Sequence, residues 1–553
     1  MAVCFKSNRH SAAVENRCGV LLSDLAAEAG LPLNMQCGGQ GACKGCLVKL
    51  GPGRYRIAET ETVVADGQRL EARACKTVVL DERVEIEIPE RSLLKIGECA
   101  AADFYATRKN LFHPHKNAAG QLGIAVDIGT TTVAAVLVEL STGKILARET
   151  AYNRQIELAD NVASRIALCT DDASLKKLQS LIIQGTLVPM FGKLAVQSSR
   201  SLEEVTGIVF SGNTVMSHLA LGLSALSIGM IPFEPLTKVF SEHAAPEIGL
   251  AGCPKARVRT VPAIAGYVGG DLVSDLYMSE PDPARLELIV DIGTNGEIIL
   301  NDRGQLMATA TAAGPAFEGA GLLHGCRAAA GVIEKIICHP DDSIEFETIG
   351  GKPATGLCGS AAVDFIATAW RTGLLNSMGR FDLDRLRAAG RLHQLDCCGT
   401  NVNTCVIVPR EKSGTDEAIL ITEFDVSQIM KAKAAVYAGI RTLLERGGHA
   451  VGDVERLVLA GGFAAHLRIE NAITIGLLPE IPLEKYDVVG NGSLAGAYAA
   501  LGEGGVWDEL HRIAALPGSC HLAETKEFEN RFIDALAIPN LDPDEFPVTM
   551  SSL

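Results

Sequence analysis

Apolar and polar residues alternate in short runs between Cys46 and Ile88, "CLVKLGPG" and "VVLDERVEIEI", the period-two pattern of half-buried strands. Just upstream, "VENRCGVLLSDLAAEAGLPLNMQC" predicts an amphipathic helix from about Leu21 to Ala29 that leads into a glycine-rich loop. From Glu90 to Gln121 the periodicity weakens into a polar, alanine-rich stretch that reads as a linker, and "FHPH" in it (His113, His115) reads as a solvated turn, with a metal-ligand pair as the alternative. The pattern then repeats itself. "GIAVDIGTTTVAAVLVELSTGKIL" from Gly123 and "ELIVDIGTNGEIILNDRGQL" from Glu287 each read as apolar strand, V-D-I-G-T, polar turn, second apolar strand and glycine turn. Two related halves are implied. The expected division is 1–90, a linker over 91–122, 123–206 with the first hairpin, 207–505, and a C-terminal segment 506–553.

At 553 residues the chain is long enough for about three or four packed units. Its 47% hydrophobic and 21% charged content suits large cores, and no unbroken apolar run reaches the ~18 residues of a membrane helix. A formal charge of −16 disfavours a nucleic-acid partner, which clustered Lys and Arg would be needed to hold. The first residues, "MAVCFKSNRH", lack the apolar stretch of a secretion signal, so the expected location is the cytoplasm and the expected state of the thiols is reduced.

Four of the 16 cysteines cluster, as Cys37-x5-Cys43-x2-Cys46 and then Cys75. Four soft thiolates, three from one loop and a fourth from a distant strand, are what a ferredoxin-type 2Fe-2S cluster needs. The first gap of five is that of the adrenodoxin-like branch. Gly38, Gly39, Gly41 and Gly45 suit a loop whose backbone approaches the sulfurs closely. Zinc usually wants two C-x2-C pairs and would find one; unligated thiols are the other alternative. With the flanking helix and strands, the expectation is a β-grasp ferredoxin ending near Pro89. The other twelve cysteines read as buried small hydrophobes.

The repeated V-D-I-G-T points to nucleotide. An aspartate ending a buried strand, followed by a Gly-Thr turn, lets turn N–H groups and hydroxyls grip phosphoryl oxygens while the carboxylate positions hydrated Mg2+. The candidates are Asp127 with Gly129, Thr130 and Thr131, and Asp291 with Gly293, Thr294 and Asn295. No G-x4-G-K-[ST] loop occurs. In "VLAGGFAAHL" the pair Gly461-Gly462 before Phe463 would let backbone lie against a purine. Asn213 in "VFSGNTVMSHLALG" and Gly314 in "ATAAGPAFEGAGLLHG" are further candidates, although a helix cap and a core turn explain them as simply. "VVGNGSLAGAYAAL" from Val488 reads as another strand entering a small-residue helix.

Together these motifs resemble the acetate kinase, sugar kinase, chaperone and actin superfamily. The whole order, cysteine loop first and "EFENRFIDALAIPNLDP" last, resembles the ATP-dependent reductive activators of corrinoid-dependent methyltransferase systems, such as O-demethylases. One stretch departs from that family, "NRQIELADNVASRI", where Arg154, Ala159 and Asn161 replace an expected Pro, Gly and Asp. The resemblance implies a multidomain α+β and α/β chain: a β-grasp 2Fe-2S domain, then a duplicated ribonuclease-H-like ATPase fold. It further implies a 2Fe-2S cluster, ATP and Mg2+ as cofactors, and one-electron reduction of a protein-bound Co(II) corrinoid to Co(I). The partners would be a corrinoid protein and an upstream electron donor, and a homodimer is compatible with this reading. The rival readings are an electron injector for 2-hydroxyacyl-CoA dehydratases, against which the N-terminal cysteines argue, and a redox-gated ATPase regulator or kinase that passes no electron to a corrinoid.

Overall fold

The computed structural model describes residues 2–7, 11–17, 19–31, 33, 46–89, 92, 111–159, 161–326, 328–396, 401–415, 417–516, 518–519, 522 and 525–551. Cys37 and Cys43 and most of the expected linker lie outside them. The chain divides into two compact units, Met1–Gly97 with Arg154–Arg165, and Glu98–Asn153 with Ile166–Leu553.

In the first unit, β1 (Ala2–Lys6), β2 (Ser11–Glu15), β3 (Leu47–Leu50), β6 (Leu70–Arg73) and β8 (Arg83–Glu87) form a mixed sheet of order β2-β1-β8-β3-β6. β4 (Gly53–Ile57), β5 (Thr60–Val64) and β7 (Thr77–Val79) make a small second sheet. β1 and β8 pair in parallel at the centre, and Phe5, Val48 and Ile86 share one buried core with Leu22, Leu25 and Ala26 of the helix Leu22–Glu28. This is the β-grasp arrangement. The stretch 78–88 is two strands in different sheets. The turn between them is held by Asp81, whose carboxylate accepts from the Arg54 amide at 2.8 Å and from Arg54 Nε at 2.7 Å.

The second unit contains the same sheet twice. β9 (Leu122–Ile128), β10 (Thr132–Glu139) and β11 (Lys144–Tyr152) run antiparallel, followed by β12 (Val205–Ser211), β13 (His243–Ala244) and β14 (Arg257–Thr260), in the order β11-β10-β9-β12-β14-β13. β15 (Leu286–Ile292), β16 (Gly296–Asp302) and β17 (Gln305–Thr311) repeat the three-strand meander. Two small sheets intervene, β18 (Val332–Cys338), β19 (Ile344–Thr348) and β20 (Gly356–Leu357), then β21 (Leu392–Asp396), β22 (Asn401–Val408) and β23 (Ile419–Thr422). β24 (Arg456–Ala460) and β25 (Tyr486–Gly490) then join β15 in parallel, as β12 and β14 join β9. Two meanders, each extended by parallel strands, are the duplicated ribonuclease-H-like fold. The expected boundary at 206/207 falls inside β12, and the two halves meet between 279 and 286.

β9 and β15 are buried on both faces, which is why they read as continuous apolar runs rather than alternating ones. Behind them the helices Gly270–Ser279 and Gly492–Ala500 cross so closely that a Cβ on Gly496 would stand 2.3 Å from Ser274 Cβ. Residues 111–121 pack onto this unit: the Phe112 and Tyr498 rings lie 4.9 Å apart, and His115 Nε2 is 2.7 Å from the Leu501 carbonyl. The segment from Lys526 to Ser551 is strapped to the long helix Glu423–Arg446. Buried Lys433 donates to the carbonyls of Ala537 (2.6 Å) and Pro539 (2.7 Å), and Arg441 pairs with Glu545 at 3.0 Å. Among the described residues no helix is long and apolar enough to cross a membrane.

Candidate functional site: a thiol pair and an acidic two-hairpin cleft

In the first unit, β3 pairs with β6 in the register Leu47↔Arg73, which sets Cys46 against the short turn Ala74–Lys76. The Ala74 amide donates to the Cys46 carbonyl at 3.0 Å, and both Cys46 and Cys75 are buried. Hydrogen bonding from the Cys75 thiol, opposed by burial and helped by backbone amides, brings the Cys46 thiol down to about 6. Two buried thiols side by side, one of them favoured as thiolate, are a donor set that fits an iron-sulfur cluster. Of the four predicted ligands these two are brought together; Cys37 and Cys43 fall outside the described residues.

In the second unit, the turns of the two hairpins face one another across a cleft. It is lined by Asp127, Gly129, Thr130, Thr131, Asn213, Asp291, Gly293, Thr294, Asn295, Gly461, Gly462 and Phe463. Gly314 is not among the lining residues. Its N–H donates to the Thr294 carbonyl at 2.9 Å and its φ is +80°, so it shapes the second turn from behind. Asn213 serves twice. Its Oδ1 caps the helix Thr214–Ala220 through the Met216 amide (2.9 Å), and its Nδ2 donates to Thr130 Oγ1 at 3.0 Å. Across the cleft Thr131 Oγ1 lies 2.9 Å from Thr294 Oγ1, and the Thr294 hydroxyl donates to Glu318 Oε1 at 2.6 Å.

Asp127 accepts from Asn491 Nδ2 at 3.0 Å and from Ser493 Oγ at 2.7 Å; burial nevertheless raises its pKa, against the pull of these donors. Asp291 stands among acids. Burial, then the charges of Asp127 and Glu318, push it up to about 6, while a hydrogen bond with Asp275 opposes the rise. Asp271, raised first by burial and next by Asp291, reaches about 7. Asp275 and Glu297 lie well above the ordinary carboxylate range, burial being the first cause for both. Among the described residues no amide, hydroxyl or ammonium donor reaches either Asp275 oxygen, and burial together with the neighbouring Asp291 and Asp271 charges favours its protonated form. This crowding asks for a cation. Among the described residues no three Asp, Glu, His or Cys side chains converge as direct ligands. The carboxylates lining the cleft are oxygen donors of the kind that fit Mg2+.

Phe463, also in the lining of the cleft, stacks on Phe317 with centroids 4.9 Å apart and planes at 24°. Gly461 has φ +93°, and a Cβ there would come within 2.3 Å of Asp291 Oδ1. Glycine is needed on both counts. Sequence reasoning missed Asp271, Asp275, Glu297, Asn491 and Ser493. The signal for the last two was in "GNGS", read only as a helix start; the first two follow β14 in "GGDLVSD", the counterpart in the first half of that same strand-to-helix passage.

Comparison with known proteins agrees with this division. Residues 5–80 match the 2Fe-2S iron-sulfur cluster binding domain, 122–282 the RACo middle region, and 285–550 the C-terminal domain of RACo, the ASKHA domain. The chain is 31% identical over 550 residues to the corrinoid activation enzyme RamQ of Eubacterium limosum, covering 89% of this chain and 92% of that one. It is 23% identical over 462 residues to a [Co(II) methylated amine-specific corrinoid protein] reductase of Methanosarcina barkeri, covering 75% and 76%. Among solved structures it is similar to a reductive activator for corrinoid,iron-sulfur protein, with a TM-score of 0.74, 28% identity and 99% of each chain covered. With the three family models matched in order and a relative this similar along nearly the whole length, the chain belongs to the RACo family, a 2Fe-2S ferredoxin domain joined through a middle region to an ASKHA ATPase domain.

Proposed function

We propose that this chain is an ATP-dependent reductive activator of a corrinoid protein, acting in the cytoplasm and returning inactive Co(II) corrinoid of a methyltransferase system to Co(I). The observation that carries the reading is the union, in one chain, of paired buried thiols in a 2Fe-2S domain and an acidic two-hairpin cleft, in a family whose relatives are named for corrinoid activation.

Cys37, Cys43, Cys46 and Cys75 would hold the cluster, which when bound supplies single electrons near the ~−400 mV of plant-type centres. The Co(II)/Co(I) couple is expected to lie lower, and each ~100 mV of that gap corresponds to ~2.3 kcal/mol for one electron. Nucleotide turnover is the source that offsets it. In the cleft, Gly129 to Thr131 and Gly293 to Asn295 would present turn amides and hydroxyls to the phosphates, and Asn491 and Ser493 hold the Asp127 carboxylate in place. Asp127 and Asp291 would orient hydrated Mg2+. Asp271, which also lines the cleft, would be the carboxylate that accepts the proton of the attacking water. Phe463, on its stack with Phe317, and Gly461-Gly462 would form the purine slot.

The test mixes the chain, a reductant and a Co(II) corrinoid protein, and follows the Co(I) absorption band. Co(I) is expected with Mg-ATP, only in traces without ATP, and not at all in a Cys43→Ser variant that lacks the cluster. Equal reduction by the cluster-free variant would remove the electron-transfer reading and leave the redox-gated ATPase regulator in its place.

A further inference from the structure

The two hairpins whose turns would hold the nucleotide phosphates touch each other directly. Thr131, at the turn between β9 and β10, and Thr294, at the turn between β15 and β16, approach oxygen to oxygen at 2.9 Å. The direction of that hydrogen bond is settled by the third member. The Thr294 hydroxyl hydrogen goes to Glu318 Oε1 at 2.6 Å, so the Thr294 oxygen is left to accept and Thr131 must donate. Both threonine hydroxyl hydrogens are thus committed within the protein. Behind this chain, Asn213 Nδ2 ties Thr130 to the first half, and the Gly314 amide ties the Thr294 carbonyl to the loop that carries Glu318.

We infer that Glu318 is a positioning residue that sets a clasp, Thr131 to Thr294 to Glu318, holding the two halves of the ATPase together while no phosphate lies between them, and that a nucleotide triphosphate must displace it. The inference rests on the nucleotide reading of the cleft and adds to it. A phosphoryl oxygen arriving between the turns offers Thr131 a charged acceptor in place of a neutral hydroxyl, and charge-assisted hydrogen bonds are the stronger kind. Binding would thus exchange a direct link between the halves for one made through phosphate, and loss of the phosphate would restore it. Adenosine has no phosphate and leaves the clasp shut.

The first measurement is amide hydrogen exchange over 129–133 and 293–296 in the nucleotide-free full chain. Thr294→Val and Glu318→Ala should raise exchange in both turns together by about three- to tenfold, the weight of one net hydrogen bond. Thr294→Ser and Glu318→Gln, which keep a hydroxyl and an acceptor, should stay near wild type. Unchanged exchange in Thr294→Val overturns the clasp, and the Thr294 pair decides the matter if Glu318→Ala fails to fold. The second measurement titrates Mg-ADPNP and adenosine. Glu318→Ala and Glu318→Gln lose the same charge and only the former loses the acceptor, so Glu318→Ala should favour the triphosphate over adenosine about three- to tenfold more than Glu318→Gln does. A smaller preference in Glu318→Ala overturns the competition. If the wild-type chain binds neither ligand, it is the nucleotide site that falls, and the exchange data still decide whether the turns are clasped.

Discussion

The two V-D-I-G-T hairpins are near copies in sequence and opposites in electrostatics. Asp127 faces Ala134 across its hairpin, and its oxygens receive two neutral donors, Asn491 and Ser493. Asp291 faces Glu297 and is flanked by Asp271 and Asp275. An identical pentapeptide thus ends in a carboxylate satisfied by dipoles in one half and in a carboxylate set among acids in the other. The two copies share their backbone geometry and differ in their neighbours: neutral donors hold Asp127, and acids surround Asp291.

Replacing the acid at the crowded hairpin should have the largest consequence. Asp291→Asn is expected to lower ATP turnover about a hundredfold or more, the scale of losing one electrostatic stabiliser in a desolvated site, with the visible spectrum of the cluster unchanged. Wild-type hydrolysis by this variant would take Asp291 out of the site. Gly461→Ala comes next, since its Cβ would press on Asp291 Oδ1 at 2.3 Å with φ at +93°. A loss of about tenfold to a hundredfold in turnover, with a lowered melting temperature, is the expected outcome.

Stability sharpens the contrast because the two aspartates should respond with opposite signs. In the nucleotide-free protein at pH 8, Asp291→Asn removes a charge from an acidic cluster and is expected to stabilise, whereas Asp127→Asn turns an amide toward the Asn491 and Ser493 donors and should destabilise. Each change is about 1 kcal/mol and can be read from denaturant midpoints. Shifts of equal sign would mean that the two environments do not differ as described.

The smallest effect is on pH dependence. Asp291 and Asp271 titrate near 6 and 7 in the folded chain, above the ~4 of an unfolded aspartate. The native state therefore holds the extra protons, and this contribution to stability is fully present below about pH 4 and is lost as pH rises from there through about 7. The melting temperature of the nucleotide-free protein should fall by about 2 °C or more over that window, and Mg2+ or Asp271→Asn should flatten the slope. A slope that Mg2+ leaves untouched would deny the cluster its cation.

Much of this site could be read along the chain. Strands buried on both faces must be apolar throughout, so β9 and β15 announce themselves, and a turn that carries function at the end of such a strand is visible as D-I-G-T. The thiol loop is legible for a similar reason, since ligand spacing is local. What supports Asp127 is not local at all: its donors lie 364 and 366 residues away. The boundary near 206 went astray because a parallel strand such as β12 joins β9 only after a long crossover, and hydrophobic pattern does not name a strand's partner. In the run 78–88 the polar Asp81-Glu82-Arg83 marks a turn, but the pattern does not say that the strands on its two sides belong to different sheets.

From its sequence alone this chain therefore has its candidate cluster ligands, its two hairpins, its glycine pair and its family, because these depend on local spacing and on the apolar content that burial demands. Only the tertiary structure decided which carboxylates keep their protons, that Cys46 meets Cys75 across the β3–β6 register, and that Thr131 reaches Thr294 between the two halves. Those outcomes depend on desolvation and on distances of a few ångströms between residues far apart in the chain, and neither quantity is carried by any short stretch of it.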